Sequence, residues 1–184
     1  MQTEIVISGF GGQGALFAGQ LLAFAGMDSG KFVTWIPSYG PEMRGGTAHC
    51  TVTISDEEIG SPVVRHPKAA IVMNLPSLDK YEALVQPQGV LVVNASLVDR
   101  SPTRSNLNWV MVHGNEVAEE LGDKRMANVV LLGALLGLEP VLTLDQLADA
   151  LRNHIPARRR SLLDANLKAL HEGAALAARD RVLA

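Results

Sequence analysis

The chain has 184 residues, enough for one well-buried domain and short for two. Hydrophobic residues make up 47% and charged residues 19%, a balance that excludes a disordered chain, and a net charge of −3 supplies no basic field for nucleic acid or an anionic membrane. The one cysteine, Cys50, excludes an internal disulfide, a four-cysteine zinc site and a self-contained cysteine-ligated iron–sulfur cluster.

Glu4 to Ser8 is a short β-rich run ending in glycines, a first strand. Ala15 to Gly26 is apolar nearly all round and free of proline, as in a buried helix. Phe32 to Ile36 forms a second strand that Pro37 is expected to stop, and a polar, glycine-rich loop follows from Ser38 to Gly46. Ala48 to Ser55 alternates Thr with Val and Ile, so it reads as a half-buried strand; the short loop before it suits an antiparallel partner. Ala69–Met73 and Val90–Val93 are continuous apolar runs, typical of strands buried on both faces. Ser77 to Val85 can form a short helix between them. Trp109 to His113 is a further strand, and Asn115 is placed to cap a helix running to Leu121.

The last third is helical. Arg125 to Leu138 reads as one helix ended by Gly137 and Pro140. Thr143-Leu144-Asp145-Gln146 fits a capping box opening a helix to His154, and Ser161 to about Ala178 forms the final helix. The pattern predicts a single domain over residues 1–184: a three-layer α/β/α sandwich around a Rossmann-like, mostly parallel sheet with one antiparallel strand. The N-terminus lacks the basic region of a signal peptide, and no apolar run reaches the ~18 residues of a membrane span. The expected location is therefore the cytoplasm.

Two loops carry the functional signal. Gly9-Phe10-Gly11-Gly12-Gln13-Gly14 matches G-x-G-x-x-G between a strand and a helix. Glycines there permit a tight turn and let a phosphate approach the amides at the positive end of the helix; close strand–helix packing alone also selects them. A dinucleotide site further asks for an acid closing the second strand, where this chain has Trp35-Ile36-Pro37-Ser38, with Asp28 too early and Glu42 too late. The second loop, Pro37-Ser38-Tyr39-Gly40-Pro41-Glu42-Met43-Arg44-Gly45-Gly46, is expected beside the first, at the carboxyl edge where such sheets bind ligands. An Arg–Glu surface pair on a rigid loop is the structural alternative.

Both loops in register resemble the gamma subunit of 2-oxoacid:ferredoxin oxidoreductases, the pyruvate/2-oxoglutarate ferredoxin oxidoreductase catalytic domain family. Asn128 with Gly133, and the segment Ala165 to Gly173, resemble later parts of the same domain. The resemblance implies a subunit, inactive alone, of an enzyme that oxidatively decarboxylates a 2-oxoacid on thiamine diphosphate. Electrons pass through iron–sulfur clusters to ferredoxin, and the acyl group goes to coenzyme A. It implies thiamine-binding alpha/beta-type and ferredoxin-like partner subunits that hold those cofactors, with coenzyme A contact on this chain; self-association of the isolated chain is a further option. The candidate binding set is Gly9, Gly11, Gly12, Gln13, Gly14, Ser38, Tyr39, Arg44, Gly45 and Gly46, with Arg44 the best anion partner because guanidinium offers a planar fork of donors. No catalytic residue or metal ligand is expected. A stand-alone Rossmann-like NAD(P)- or coenzyme-A-binding module is the alternative.

Elsewhere the signals are bland. His49 and Cys50 are adjacent in a strand and should point to opposite faces, which disfavours a catalytic pair and suits Cys50 as a buried small hydrophobe. His66, His113, His154 and His171 show no metal-ligand spacing, and Gly14 is followed by Ala15-Leu16 where a P-loop needs Lys. Arg158-Arg159-Arg160 reads as a solvated helix start or a contact to an acidic partner surface.

Overall fold

The computed structural model describes residues 1–39 and 47–184, without the side chains of Tyr39, Arg158 and Arg159. Six strands form one sheet: β1 (Gln2–Phe10), β2 (Phe32–Tyr39), β3 (Thr47–Ser55), β4 (Ala69–Val72), β5 (Val90–Asn94) and β6 (Asn108–Val112). Their spatial order is β2-β3-β1-β4-β5-β6. The pairs β1–β4, β4–β5 and β5–β6 are parallel, while β3 is antiparallel to both β1 and β2. The antiparallel strand is the one expected from the short connection before it, and it lies inside the sheet, between β1 and β2.

The pleat explains the layers. Cys50, Val52 and Ile54 of β3, with Ile5 and Ile7 of β1 and Val33 and Trp35 of β2, face helix α1 (Ala15–Asp28). The same layer holds α3 (Gly114–Glu120), α4 (Ala127–Leu138), α5 (Leu144–His154) and α6 (Leu163–Asp180), packed over the large core. The opposite face is thinner. There α2 (Leu75–Tyr81) and the Val98 and Leu107 side chains cover Val6, Ala70, Val72, Leu91 and Val93. Every residue of β4 and β5 is buried, because these strands are sandwiched by both layers.

Several local expectations shift. Pro37 does not stop β2, which continues to Tyr39; β2 is an edge strand, where a residue without an N–H is tolerated. The short helix after β4 lies earlier than Ser77–Val85: Asn74 caps it, its side chain accepting from Ser77 N at 2.9 Å. Asn115 is not a cap, since α3 begins at Gly114 without a side-chain cap and Asn115 Oδ1 instead accepts from Asn94 Nδ2 at 3.2 Å. The helix expected from Arg125 is a 3₁₀ turn over Lys124–Met126 followed by α4. A second 3₁₀ turn, Ala157–Leu162, contains the basic cluster and precedes α6. The capping box of α5 forms as the sequence predicts: Thr143 N donates to Gln146 Oε1 at 2.8 Å and Gln146 N to Thr143 Oγ1 at 3.1 Å. No helix among the described residues is long and apolar enough to cross a membrane.

Two contacts fix the layers. Helices α4 and α6 cross backbone to backbone: a Cβ on Gly133 would fall on the Leu170 carbonyl, and one on Gly173 on the Val130 carbonyl. On the thin face, buried Glu82 accepts from Thr103 Oγ1 at 2.8 Å, Arg104 N at 3.0 Å, Arg100 Nη1 at 3.0 Å and the Thr103 amide. Arg104 Nη1 in turn donates to the Glu82 and Val85 carbonyls, closing the end of α2. At the far edge, Val182 forms an antiparallel bridge with Trp109 of β6.

Gly133→Val should destabilise the chain by about 3 kcal/mol, because neither helix backbone can retreat without opening the core; urea unfolding followed by circular dichroism reads it. Glu82 makes a second test. Its burial would raise its pKa, but hydrogen bonds from Thr103, Arg100 and Arg104 outweigh that and hold it below the ordinary value of 4.5. A group depressed on folding contributes stability above its unfolded pKa and loses it as pH falls through the folded value. Unfolding free energy should therefore drop on acidification below about pH 4.5, and Glu82→Gln should lower stability at pH 7 while flattening that part of the pH profile.

Candidate functional site

The carboxyl ends of β1, β4, β5 and β6 meet at one edge, which is lined by small polar residues. Ser8 of β1 lies against α2, its Oγ 2.9 Å from Ser77 Oγ. Asn74 follows β4, and Asn94 ends β5 with its Oδ1 accepting from Gly114 N at 3.2 Å. Asn115 N donates to Ser96 Oγ at 2.9 Å, and the Ser96 hydroxyl is bonded to Glu116.

The glycine loop is the centre of this edge. Phe10 is the last residue of β1 and is exposed. Gln13 folds back under the turn: its Oε1 accepts from Phe10 N at 2.5 Å and Asn74 Nδ2 at 3.3 Å, and its Nε2 donates to the Met73 carbonyl at 3.3 Å. One side chain thus ties the end of β1 to the end of β4. This also accounts for Gly9, where a Cβ would meet Gln13 Oε1 at 2.6 Å and Met73 Cβ at 2.9 Å. Gly12, at φ 98°, has open space where a side chain would be.

Gly14 is the N-cap of α1 in the left-handed conformation, φ 81°, and no side chain caps the helix. The first-turn amides of α1 therefore face the edge without a side-chain acceptor, with the positive end of a 14-residue helix behind them. Asn128, buried at the start of α4, donates Nδ2 to the Gly14 carbonyl at 3.1 Å and occupies the space a Gly14 side chain would need. So Gly14 is selected by its backbone conformation and by Asn128, more than by strand–helix approach.

Of the candidate binding residues, the structure brings Gly9, Gly11, Gly12, Gln13 and Gly14 together and puts Ser38 and Tyr39 at the same edge, two strands away. The register runs Ser8, His49, Ser38 in one row and Gly9, Ala48, Tyr39 in the next. At about 4.8 Å per strand, the Ser38 backbone lies about 10 Å from Ser8, because β3 stands between β2 and β1. The second loop itself lies outside the described residues, and its far end joins Thr47, which pairs with Phe10 at the start of the glycine loop. Arg44, Gly45 and Gly46 lie outside the described residues. Gln13 carries a structural duty that the motif did not reveal. Asn74 and Asn94 were missed, although each follows or ends an apolar strand run, which is a readable signal.

His49 and Cys50 do point to opposite faces. The His49 ring lies 6.0 Å from that of Tyr81 in α2, with its pKa lowered by burial and by Lys80. Cys50 is buried against α1, 3.5 Å from the Ala15 carbonyl, and burial pushes its thiol up to about 11. It is no nucleophile at neutral pH.

A mixed six-stranded sheet with helices on both faces and a glycine loop at its carboxyl edge defines an α/β protein of the ligand-edge type. More particularly, residues 4–176 match the pyruvate ferredoxin/flavodoxin oxidoreductase family, and the chain belongs to it. Ketoisovalerate oxidoreductase subunit VorA of Methanothermobacter marburgensis is 38% identical over 175 residues, covering 94% of this chain but 36% of VorA. The chain thus spans about a third of that relative. The 2-oxoglutarate synthase subunit KorC of the same organism is 34% identical, covering 85% of this chain and 88% of KorC. The keto/oxoacid ferredoxin oxidoreductase gamma subunit of Geobacter sulfurreducens has the same fold end to end, with a TM-score of 0.86, 31% identity and 99% of both chains covered. A 2-oxoglutarate:ferredoxin oxidoreductase of Magnetococcus marinus, solved with 2-oxoglutarate, coenzyme A and succinyl-CoA, shares the fold at a TM-score of 0.85 and 24% identity, over 96% of this chain and 31% of that one.

Asn128→Ala should loosen the glycine loop without unfolding the chain, at a cost of about 1–3 kcal/mol for the buried Gly14 carbonyl left without its donor. Gly14→Val should cost more, being strained at positive φ and forced into Asn128. Thermal unfolding ranks the two, and faster amide exchange at residues 10 to 16 marks the loosened loop.

Proposed function

We propose that this chain is the gamma subunit of a thiamine-diphosphate-dependent 2-oxoacid:ferredoxin oxidoreductase, a subunit without activity of its own. The observation that carries the reading is the near-complete mutual coverage with KorC and with the Geobacter gamma subunit, both single subunits of this chain's length class. In the complex the chain takes part in coenzyme-A-dependent oxidative decarboxylation of a 2-oxoacid to its acyl-CoA. The working compartment is the cytoplasm, and the whole 184-residue chain acts as one gamma-type domain.

The chemistry of the edge supports a coenzyme A contact. Coenzyme A carries phosphates, and the uncapped start of α1 offers oriented amides and a favourable dipole for one. The open space at Gly12 leaves room for close backbone approach. Gln13 and Asn128 brace the turn, which lowers the ordering cost of binding there. Gly9, Gly11, Gly12 and Gly14 supply that backbone surface and Ser38, near the end of β2, a hydroxyl; Tyr39, Arg44, Gly45 and Gly46 are the further residues proposed for the same contact.

Thiamine diphosphate supplies the carbanion chemistry and iron–sulfur clusters the electron path, both in the thiamine-binding and ferredoxin-like partner subunits. A lone buried thiol gives this chain no cluster ligand set of its own. The 2-oxoacid is 2-oxoglutarate or pyruvate, with the 38% identity to VorA adding branched-chain acids to the same class.

The purified chain should oxidise no 2-oxoacid. Reconstituted with its partner subunits, it should be required for acyl-CoA formation with reduction of a ferredoxin or a viologen dye. Full turnover by the partners without this chain would sink the proposal.

A further inference from the structure

Asn74, which follows β4, is 1% exposed and serves two neighbours at once. Its Oδ1 accepts from Ser77 N at 2.9 Å, which caps α2. A side-chain amide has an acceptor on one arm and donors on the other. With the oxygen committed to α2, the nitrogen is turned toward the glycine loop, and Nδ2 donates to Gln13 Oε1 at 3.3 Å.

That bond selects which way round the Gln13 amide sits. Oε1 also receives Phe10 N at 2.5 Å, and Nε2 donates to the Met73 carbonyl at 3.3 Å. Turned over, the amide would set Nε2 against two donors and Oε1 against a carbonyl, and all three bonds would be lost. Asn74 is the partner whose side chain another element holds, since α2 fixes it. Orientation thus passes from the start of α2 through Asn74 and Gln13 to the amide of Phe10, where the turn begins.

Resting on the coenzyme A contact proposed above, we infer that Asn74 is a positioning residue for it. Asn74 is too buried to meet a ligand. It acts through Gln13, holding the backbone of Phe10 to Gly14 in the arrangement that receives coenzyme A. A binding surface made of main chain has no rotamer to adjust, so its geometry depends on the side chains behind it. The N-cap of α2 is a separate duty of the same residue, and the two can be parted. An aspartate caps as well as an asparagine but has no donor arm.

In the reconstituted complex, Asn74→Asp keeps an acceptor for Ser77 N and sets its second oxygen against Gln13 Oε1. The KM for coenzyme A should rise about tenfold or more, with kcat and the KM for the 2-oxoacid at wild-type values, as for a loss of binding alone. Amide exchange should quicken at residues 10 to 14 and stay unchanged in α2, a pattern that a lost cap would not produce. Asn74→Ser, which still caps but offers the loop no amide donor, should raise the same KM less; it is the variant to read if Asn74→Asp does not fold. An unchanged KM for coenzyme A in the folded variants overturns the inference, and so does an equal rise in both KM values. Gly12→Asp separates the two proposals, since a side chain there enters open space over the turn without touching the brace. If Gly12→Asp raises the KM for coenzyme A and Asn74→Asp does not, the coenzyme A contact stands and the role of Asn74 falls. If neither changes it, both fall.

Discussion

The placement of β3 between β1 and β2 is the constraint from which most of this molecule follows. A dinucleotide-binding sheet puts its second strand beside its first, so that an acid at the end of one reaches a ligand cradled at the end of the other. Here an antiparallel strand fills that position. It carries the end of β2 about two strand spacings away, leaving the glycine loop to be braced by β4 and α4. Gln13 reaches Met73 and Asn74, and Asn128 reaches Gly14.

This geometry weighs against nucleotide redox chemistry more firmly than the missing acid alone. Even an acid at Ser38 would sit across β3 from the turn it was meant to serve. Cys50, held among Trp35, Gly19 and Ala15, belongs to the packing of β3 on α1 and takes no part in that edge.

Legibility in the sequence tracked how local each determinant is. The alternation of Thr with Cys, Val and Ile identified β3 and the short preceding loop its antiparallel sense, and the Thr143–Gln146 box located a helix start to the residue. Strand order is not local: nothing in Phe32 to Ile36 says that the next strand will separate it from β1. Pro37 misled because its effect depends on being at an edge. Asn115 misled because its partner, Asn94, lies well back in the chain at the end of β5. The glycine loop was visible as a motif, but the reasons for Gly9 and Gly14 are side chains outside those positions, Gln13 folding back and Asn128 arriving from α4. Gly133 and Gly173, far apart in the chain, make sense only once α4 and α6 are seen to touch.

Both borders of the sheet are guarded. A row of unpaired backbone groups along an outer strand is a template for another copy, and sheets that leave it intact tend to polymerise. One border, β6, is sealed by the bridge from Val182 to Trp109. The other, β2, is interrupted by Pro37, which has no N–H to offer. With both borders blunted, growth strand by strand from the edges, which any extended chain could feed, is disfavoured.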